Sequence, residues 1–236
     1  MNPPRMGLKF CGLTVLTDLV MSLKLKIDYV GFNFWPSSKR FLSVPAARSL
    51  WLEALKVYPQ KEQEKLQTQA VGLLVDPDLD RVMEVLREFP ELAGIQLHGH
   101  ESLEFVESVK KHVKPRFVWK AVPIKTREDI PQIAQWVGHV DLILLDALVV
   151  QGHGGALSGG LGVAFDWELL KDSALGHVLG QIPWGLAGGI HSDNFLEAQA
   201  FKPSFIDICS GIESKPGIKD PEKIKAIVGL RDANNV

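Results

Sequence analysis

The sequence predicts a single (β/α)8 barrel spanning residues 1–236, with residues 1–7 as a flexible tail ahead of it. Three observations lead there. Short apolar, often β-branched runs alternate along the whole chain with stretches of helical spacing. Eight such runs can be marked, the number that closes a barrel. The length of 236 residues suits the roughly 250 that eight βα units usually occupy. Regular alternation also requires parallel strands joined by right-handed crossovers. A doubly wound open sheet is the structural alternative, and no linker, low-complexity segment or charge block divides the chain.

In chain order, the expected strands are Leu8–Leu13, Tyr29–Phe34, Ala70–Val75, Ala93–His98, Phe117–Val122, Leu142–Asp146, Trp184–Ala187 and Phe205–Cys209. The third is followed by "DPDLDRVMEVLREF", Asp76–Phe89, where Leu79, Val82, Met83, Leu86 and Phe89 share one helical face. Asp76 reads as its N-cap and Pro77 as its first helical residue. Further helices are expected over Ser102–His112, Arg127–Val137 and Asp220–Asp232, with Pro131 in a first turn, where its missing N–H costs little. The longest connection, Ala147–Phe165, is rich in glycine and follows the sixth strand. A loop of that kind reads as a mobile cover over an active site.

Composition narrows the function classes. A net charge of −2 gives no electrostatic reason to bind nucleic acid or an anionic membrane surface. The most apolar run, "VDLILLDALVV", is too short to span a bilayer and contains Asp146. Cys11 and Cys209 are the two cysteines, too few for a disulfide framework and not part of a CxxC pair, which favours a reducing, cytoplasmic setting.

In a barrel, chemistry gathers just past the C-terminal ends of the strands. That rule selects Cys11, residues 35–40, His98, Asp146, Gly188, Gly189, Ser210 and Gly211. "LAGGIHSDN" and "CSGIES" follow the seventh and eighth strands, where barrels often seat a phosphate on backbone N–H groups; the same glycines could simply serve a tight turn, and Ser210 a helix cap. Asp146 ends an apolar strand, where a carboxylate is costly to bury without a partner or purpose. Partial burial is expected to raise its pKa and fit it for general acid work. Arg40 lies in "FWPSSKRFLS", where a guanidinium could hold a carboxylate in bidentate fashion beside the aromatic walls of Phe34 and Trp35. His98 and His100 lack an evident third metal ligand. The glycine-rich stretch 152–162 fails the GxGxxG and P-loop patterns, so a Rossmann cofactor is not expected.

Seven segments, taken in order, resemble phosphoribosylanthranilate isomerase, a (β/α)8 enzyme of tryptophan biosynthesis. They are "KFCGLT" (9–14), "GFNFWPSSKRFLS" (31–43), "IQLHG" (95–99), "LLD" (144–146), "GGLGVAFDW" (159–167), "LAGGI" (186–190) and "IDICSGIESKPGIKD" (206–220). The resemblance implies an Amadori rearrangement of N-(5-phosphoribosyl)anthranilate, a phosphorylated sugar-anthranilate substrate. It implies that Cys11 is the general base, Asp146 the general acid, and Arg40 the partner of the anthranilate carboxylate. Gly188, Gly189, Ser210 and Gly211 would bind phosphate. The anthranilate nitrogen itself would supply the electron sink, so no metal or organic cofactor is implied, and the chain would act as a monomer or homodimer. For Cys11 to act as a thiolate base, nearby N–H dipoles or a cation must lower its pKa.

Two departures stand out. Leu161, Val163 and Ala164 replace polar residues usual in the cover loop, and residues 151–158 lengthen its approach. Cys209 stands where a serine is more usual; strands eight and one are neighbours in a closed barrel, so Cys209 is expected near Cys11, with oxidative inactivation as a possible outcome. The rival readings are a dual-specificity sugar-phosphate isomerase barrel, which would call for an aspartate at residue 11, and a barrel that binds a phospho-ligand without turnover.

Overall fold

The computed structural model describes residues 6–59, 61, 65–146 and 166–233. Eight parallel strands close in sequence order: β1 (Gly7–Cys11), β2 (Tyr29–Asn33), β3 (Gln69–Leu74), β4 (Gly94–Leu97), β5 (Phe117–Pro123), β6 (Leu142–Asp146), β7 (Trp184–Leu186) and β8 (Phe205–Ile208). β1 pairs with both β2 and β8, which closes the ring and excludes the open-sheet alternative. The tail ends earlier than expected, since Gly7 already belongs to β1 and is buried; residues 1–5 and the cover loop 147–165 lie outside the described residues.

Helices alternate with the strands: α1 (Leu16–Lys24), α2 (Val44–Val57), α3 (Leu79–Glu88), α4 (Leu103–Val113), α5 (Ile130–Ala134), α6 (Ser173–Leu179), α7 (Phe195–Ala200) and α8 (Pro221–Ala233). Ser43, Asp78 and Ser102 cap α2, α3 and α4 by accepting N–H bonds from the first turn. Two expectations about these helices need correction. The cap of α3 is Asp78, not Asp76. Asp76 takes a left-handed backbone (φ 44°) and turns its carboxylate to the His100 N–H at 2.5 Å, tying the loop after β3 to the loop after β4. The inward stripe of α3 is Val82, Val85 and Leu86, continued by the fully buried Phe89, while Met83 is exposed. The segment expected as one helix over 127–137 divides into a 3-10 turn (Arg127–Asp129) and the short α5, which carries Pro131 in its first turn.

Strand residues alternate between two environments, as the pleat requires. Leu8, Phe10, Ile143, Leu145, Ile206 and Ile208 pack outward against the helices. Val71, Trp119, Ala121, Leu142, Leu144 and Phe205 fill the barrel interior, with Trp119 stacked between Phe117 and Phe205. Above that apolar plug the inward positions become polar. β8 leads into a 3-10 turn (Ser210–Ile212) and then an antiparallel hairpin, β9 (Glu213–Lys215) and β10 (Ile218–Lys219), turned by Pro216 and Gly217.

Candidate active site

A pocket of about 220 Å³ opens at the C-terminal end of the barrel. Its lining includes Cys11, Arg40, His98, Asp146, Gly188, Gly189, Cys209 and Ser210. The structure therefore gathers candidates from six different strand ends; His100 is exposed, Pro36, Ser37 and Gly211 do not line the pocket, and Phe34, expected as an aromatic wall, is instead buried in the core.

Asp146 is the last residue of β6 and holds the inward phase of "LILLD". Its side chain keeps 17% of its surface exposed and lies 3.5 Å from His98 Nε2. Gln96 Nε2 sits 2.8 Å from His98 Nδ1; with the amide donating, the imidazole proton is on Nε2 and faces the carboxylate.

Arg40 is delivered by a tight turn. Asn33 Oδ1 accepts from Trp35 N, Ser38 Oγ accepts from Arg40 N, and Leu42 N returns to Asn33 O. The guanidinium is 8% exposed and forms a bidentate pair with Glu213, Nε and Nη2 donating at 2.8 and 2.6 Å. That pair holds the Arg40 pKa above its ordinary value and leaves Nη1 as the nitrogen for an anionic ligand. Glu213 also accepts from Lys219 Nζ and Gly217 N, both at 3.1 Å. Burial alone would raise the Glu213 pKa, but Arg40 and Lys219 outweigh it and hold the carboxylate low.

Gly188 and Gly189 have φ of 89° and 62°, a left-handed path that glycine takes without strain. Among the described residues no acceptor pairs with either backbone N–H, so both are available to an oxyanion. Gly211 works differently: a Cβ there would meet Ile190 O at 1.9 Å, so its absence lets the loops after β7 and β8 touch backbone to backbone.

Cys11 is buried, at the end of the strand that pairs with β8. Here the structure reverses an expectation. The neighbouring Cys209, and then burial, push the Cys11 thiol up, although Lys9 pulls the other way. The Cys209 thiol is held down to about 6, first by the neighbouring Cys11, then by Lys219 and Arg40 against the effect of burial.

Sequence reading also missed Lys9, Gln96, Asp207, Glu213 and Lys219. Lys9 and Asp207 are register partners on β1 and β8 and form a buried ion pair at 2.5 Å. Burial would lower the Lys9 pKa, but Asp207 and Cys11 raise it overall. Asp207 Oδ1 and Gln96 Oε1 are buried without a hydrogen-bond partner among the described residues, and both residues line the pocket. For Lys9, Gln96 and Asp207 the available signal was parity: each is a polar residue in the inward phase of a barrel strand whose neighbours are apolar. Among the described residues no group of three or more His, Cys, Asp or Glu side chains could hold a metal ion, and no helix is long and apolar enough to cross a membrane.

A sequence model of N-(5'phosphoribosyl)anthranilate (PRA) isomerase matches residues 8–229. The chain belongs to this isomerase family. An N-(5'-phosphoribosyl)anthranilate isomerase of Zymomonas mobilis subsp. pomaceae is 36% identical over 220 residues, covering 92% of this chain and 93% of that one. Among solved structures, the phosphoribosyl anthranilate isomerase of Thermotoga maritima superposes with a TM-score of 0.78 at 28% identity, covering 97% of this chain and 99% of the other. A further isomerase structure, with a TM-score of 0.76, 26% identity and the same coverage, was solved with reduced 1-(o-carboxyphenylamino)-1-deoxyribulose 5-phosphate bound.

Proposed function

We propose that the chain is an N-(5'-phosphoribosyl)anthranilate isomerase of tryptophan biosynthesis, with Asp146 as general acid and Cys11 as general base. The observation that carries the assignment is that Cys11 and Asp146, three strands apart round the ring, line one pocket whose rim holds Arg40 and Gly188 and Gly189.

The chemistry follows from that placement. Asp146 protonates the furanose ring oxygen, and the anthranilate nitrogen lone pair opens the ring to an iminium at C1. The iminium makes the C2 proton acidic, and the Cys11 sulfur removes it. The C–H electron pair forms an enamine with the C2 hydroxyl in place. Protonation at C1 and loss of the hydroxyl proton give the C2 ketone, 1-(o-carboxyphenylamino)-1-deoxyribulose 5-phosphate. The aryl nitrogen supplies the electron pair throughout, so the route calls on no metal or organic cofactor. Arg40 holds the anthranilate carboxylate, and Gly188, Gly189 and Ser210 receive the phosphate, with Gly211 fixing their loops together. The free acceptors of Gln96 and Asp207 suit sugar hydroxyls. A reducing cytoplasm matches a base that is a free thiol, and every assigned residue lies on one chain, so the reading holds for a monomer and for a homodimer. The acidic balance gives no role to nucleic acid.

The test is consumption of freshly generated phosphoribosylanthranilate, followed by its fluorescence. Cys11→Ser and Asp146→Asn should each lower kcat by roughly 10²-fold or more. Near wild-type turnover in either variant removes that residue's role.

A further inference from the structure

Cys209 lies in the pocket and touches the base, yet the reaction above gives it no task. The β1–β8 register pairs Lys9 with Asp207 and Phe10 with Ile208; continued by one residue, it sets Cys11 beside Cys209. Both thiols line the pocket.

The charges around the pair are arranged unevenly. On the Cys11 side, Lys9 from β1 is neutralised by Asp207 from β8 at 2.5 Å. On the Cys209 side stand Arg40 from the loop after β2, Lys219 from β10 and Glu213 from β9. Lys219 Nζ is 3.9 Å from Cys209 Sγ and also caps the carbonyls of Cys11 and Cys209 at 2.6 and 3.1 Å. Glu213 Oε1 lies 4.0 Å from the same sulfur. Among the described residues Lys219 is the cation placed against a cysteine sulfur, and that sulfur belongs to Cys209, whereas Lys9 is committed to Asp207.

We propose that Cys209 is a positioning residue for the base: it carries the negative charge of the thiol pair in the resting enzyme and takes the Cys11 proton when substrate is bound. The inference rests on Cys11 being the base. The steps balance. Cys11 S–H transfers its proton to the Cys209 thiolate, leaving Cys11 S⁻ and Cys209 S–H. Cys11 S⁻ then takes the C2 proton, both thiols are neutral, and the C–H electron pair stays with the substrate as the enamine. Return of one proton to C1 restores the singly charged pair. A buried isolated thiol would keep its proton at neutral pH; a neighbour that can hold the charge makes the pair a single base that is already ionised once. The Cys209 thiol, held down to about 6, agrees with that arrangement.

The experiment uses the intact protein, whose only two cysteines make its thiolate absorbance near 240 nm unambiguous. Without substrate, one thiolate per chain should appear with a midpoint near 6. In Cys209→Ser the first thiolate should appear only above the ordinary thiol value of about 8.5. The acid limb of kcat/KM should move up by at least about one pH unit in that variant, with the deficit narrowing as pH rises. Cys209→Ala gives the same comparison if the serine variant does not fold, and the wild-type titration needs no variant. A wild-type protein with no thiolate near pH 6, an unmoved acid limb, or a deficit of equal size at every pH overturns the proposal. Retained turnover in Cys11→Ser would instead remove the base assignment beneath it, an outcome separable from the others because the thiolate titration is read without substrate.

Discussion

Arg40 Nε and Nη2 hold the buried Glu213, and under the proposed function Nη1 is left for the substrate carboxylate. Arg40→Ala should therefore raise KM about 10-fold or more and also cost roughly 3 kcal/mol of stability, because Glu213 keeps only Lys219 as a cationic partner. Steady-state kinetics and urea denaturation separate the two effects; an unchanged KM ends the carboxylate assignment. Glu213 gives a pH prediction of definite sign. Its folded-state pKa lies below the unfolded value, so its contribution is present above about pH 4.3 and is lost as pH falls through the lower folded value. Glu213→Gln should flatten the dependence of stability on pH across that acid window, and a slope equal to wild type would show that the carboxylate gives nothing there. The positions of Cys11, Asp146 and Arg40 were legible in the sequence because the first two end apolar strands and the third lies in the loop after one, where chemistry is expected in a barrel. Lys9 and Asp207 were not, because their pairing joins residues 198 apart and only the closed ring brings them together.

At the scale of elements, all eight strands were legible from apolar runs, and their ends fell within a few residues of those observed. Helix starts were less so. Asp76, Pro77 and Asp78 offer two caps in succession, and the tertiary bond from Asp76 to His100 N decides that Asp78 caps α3. The β9–β10 hairpin escaped notice, since five strand residues are too few to show a period, although Pro216–Gly217 is a turn signal. This hairpin carries Glu213 and Lys219, so overlooking it hid two of the three charged groups set around Cys209. The loops after β7 and β8 form one unit through the close approach at Gly211. Gly211→Ala should force them apart, raising KM for the phosphorylated substrate about 10-fold or more while leaving the acid limb of the pH profile in place. A KM within twofold of wild type would separate the loop contact from phosphate binding.

Across the whole molecule, β1 and β8 meet at the closing seam of the barrel, where apolar neighbours surround one fully buried lysine and one buried aspartate. A buried ion pair is poor evidence of stabilisation, since well-packed apolar side chains of similar size often do as well or better, while removing one partner strands the other charge. Lys9→Met should therefore cost about 3–5 kcal/mol, a fall in Tm of roughly 6–20 °C at about 2–4 °C per kcal/mol for a domain of this size. The double variant Lys9→Met/Asp207→Leu should recover most of that loss in Tm, because no unpaired charge remains. Its turnover should stay low, since Asp207 lines the pocket and Lys9 balances the charge beside Cys11. Recovery of stability without recovery of turnover means that the pair is there for the chemistry at the seam. A double variant as unstable as the single one would mean instead that the ion pair itself holds the barrel closed.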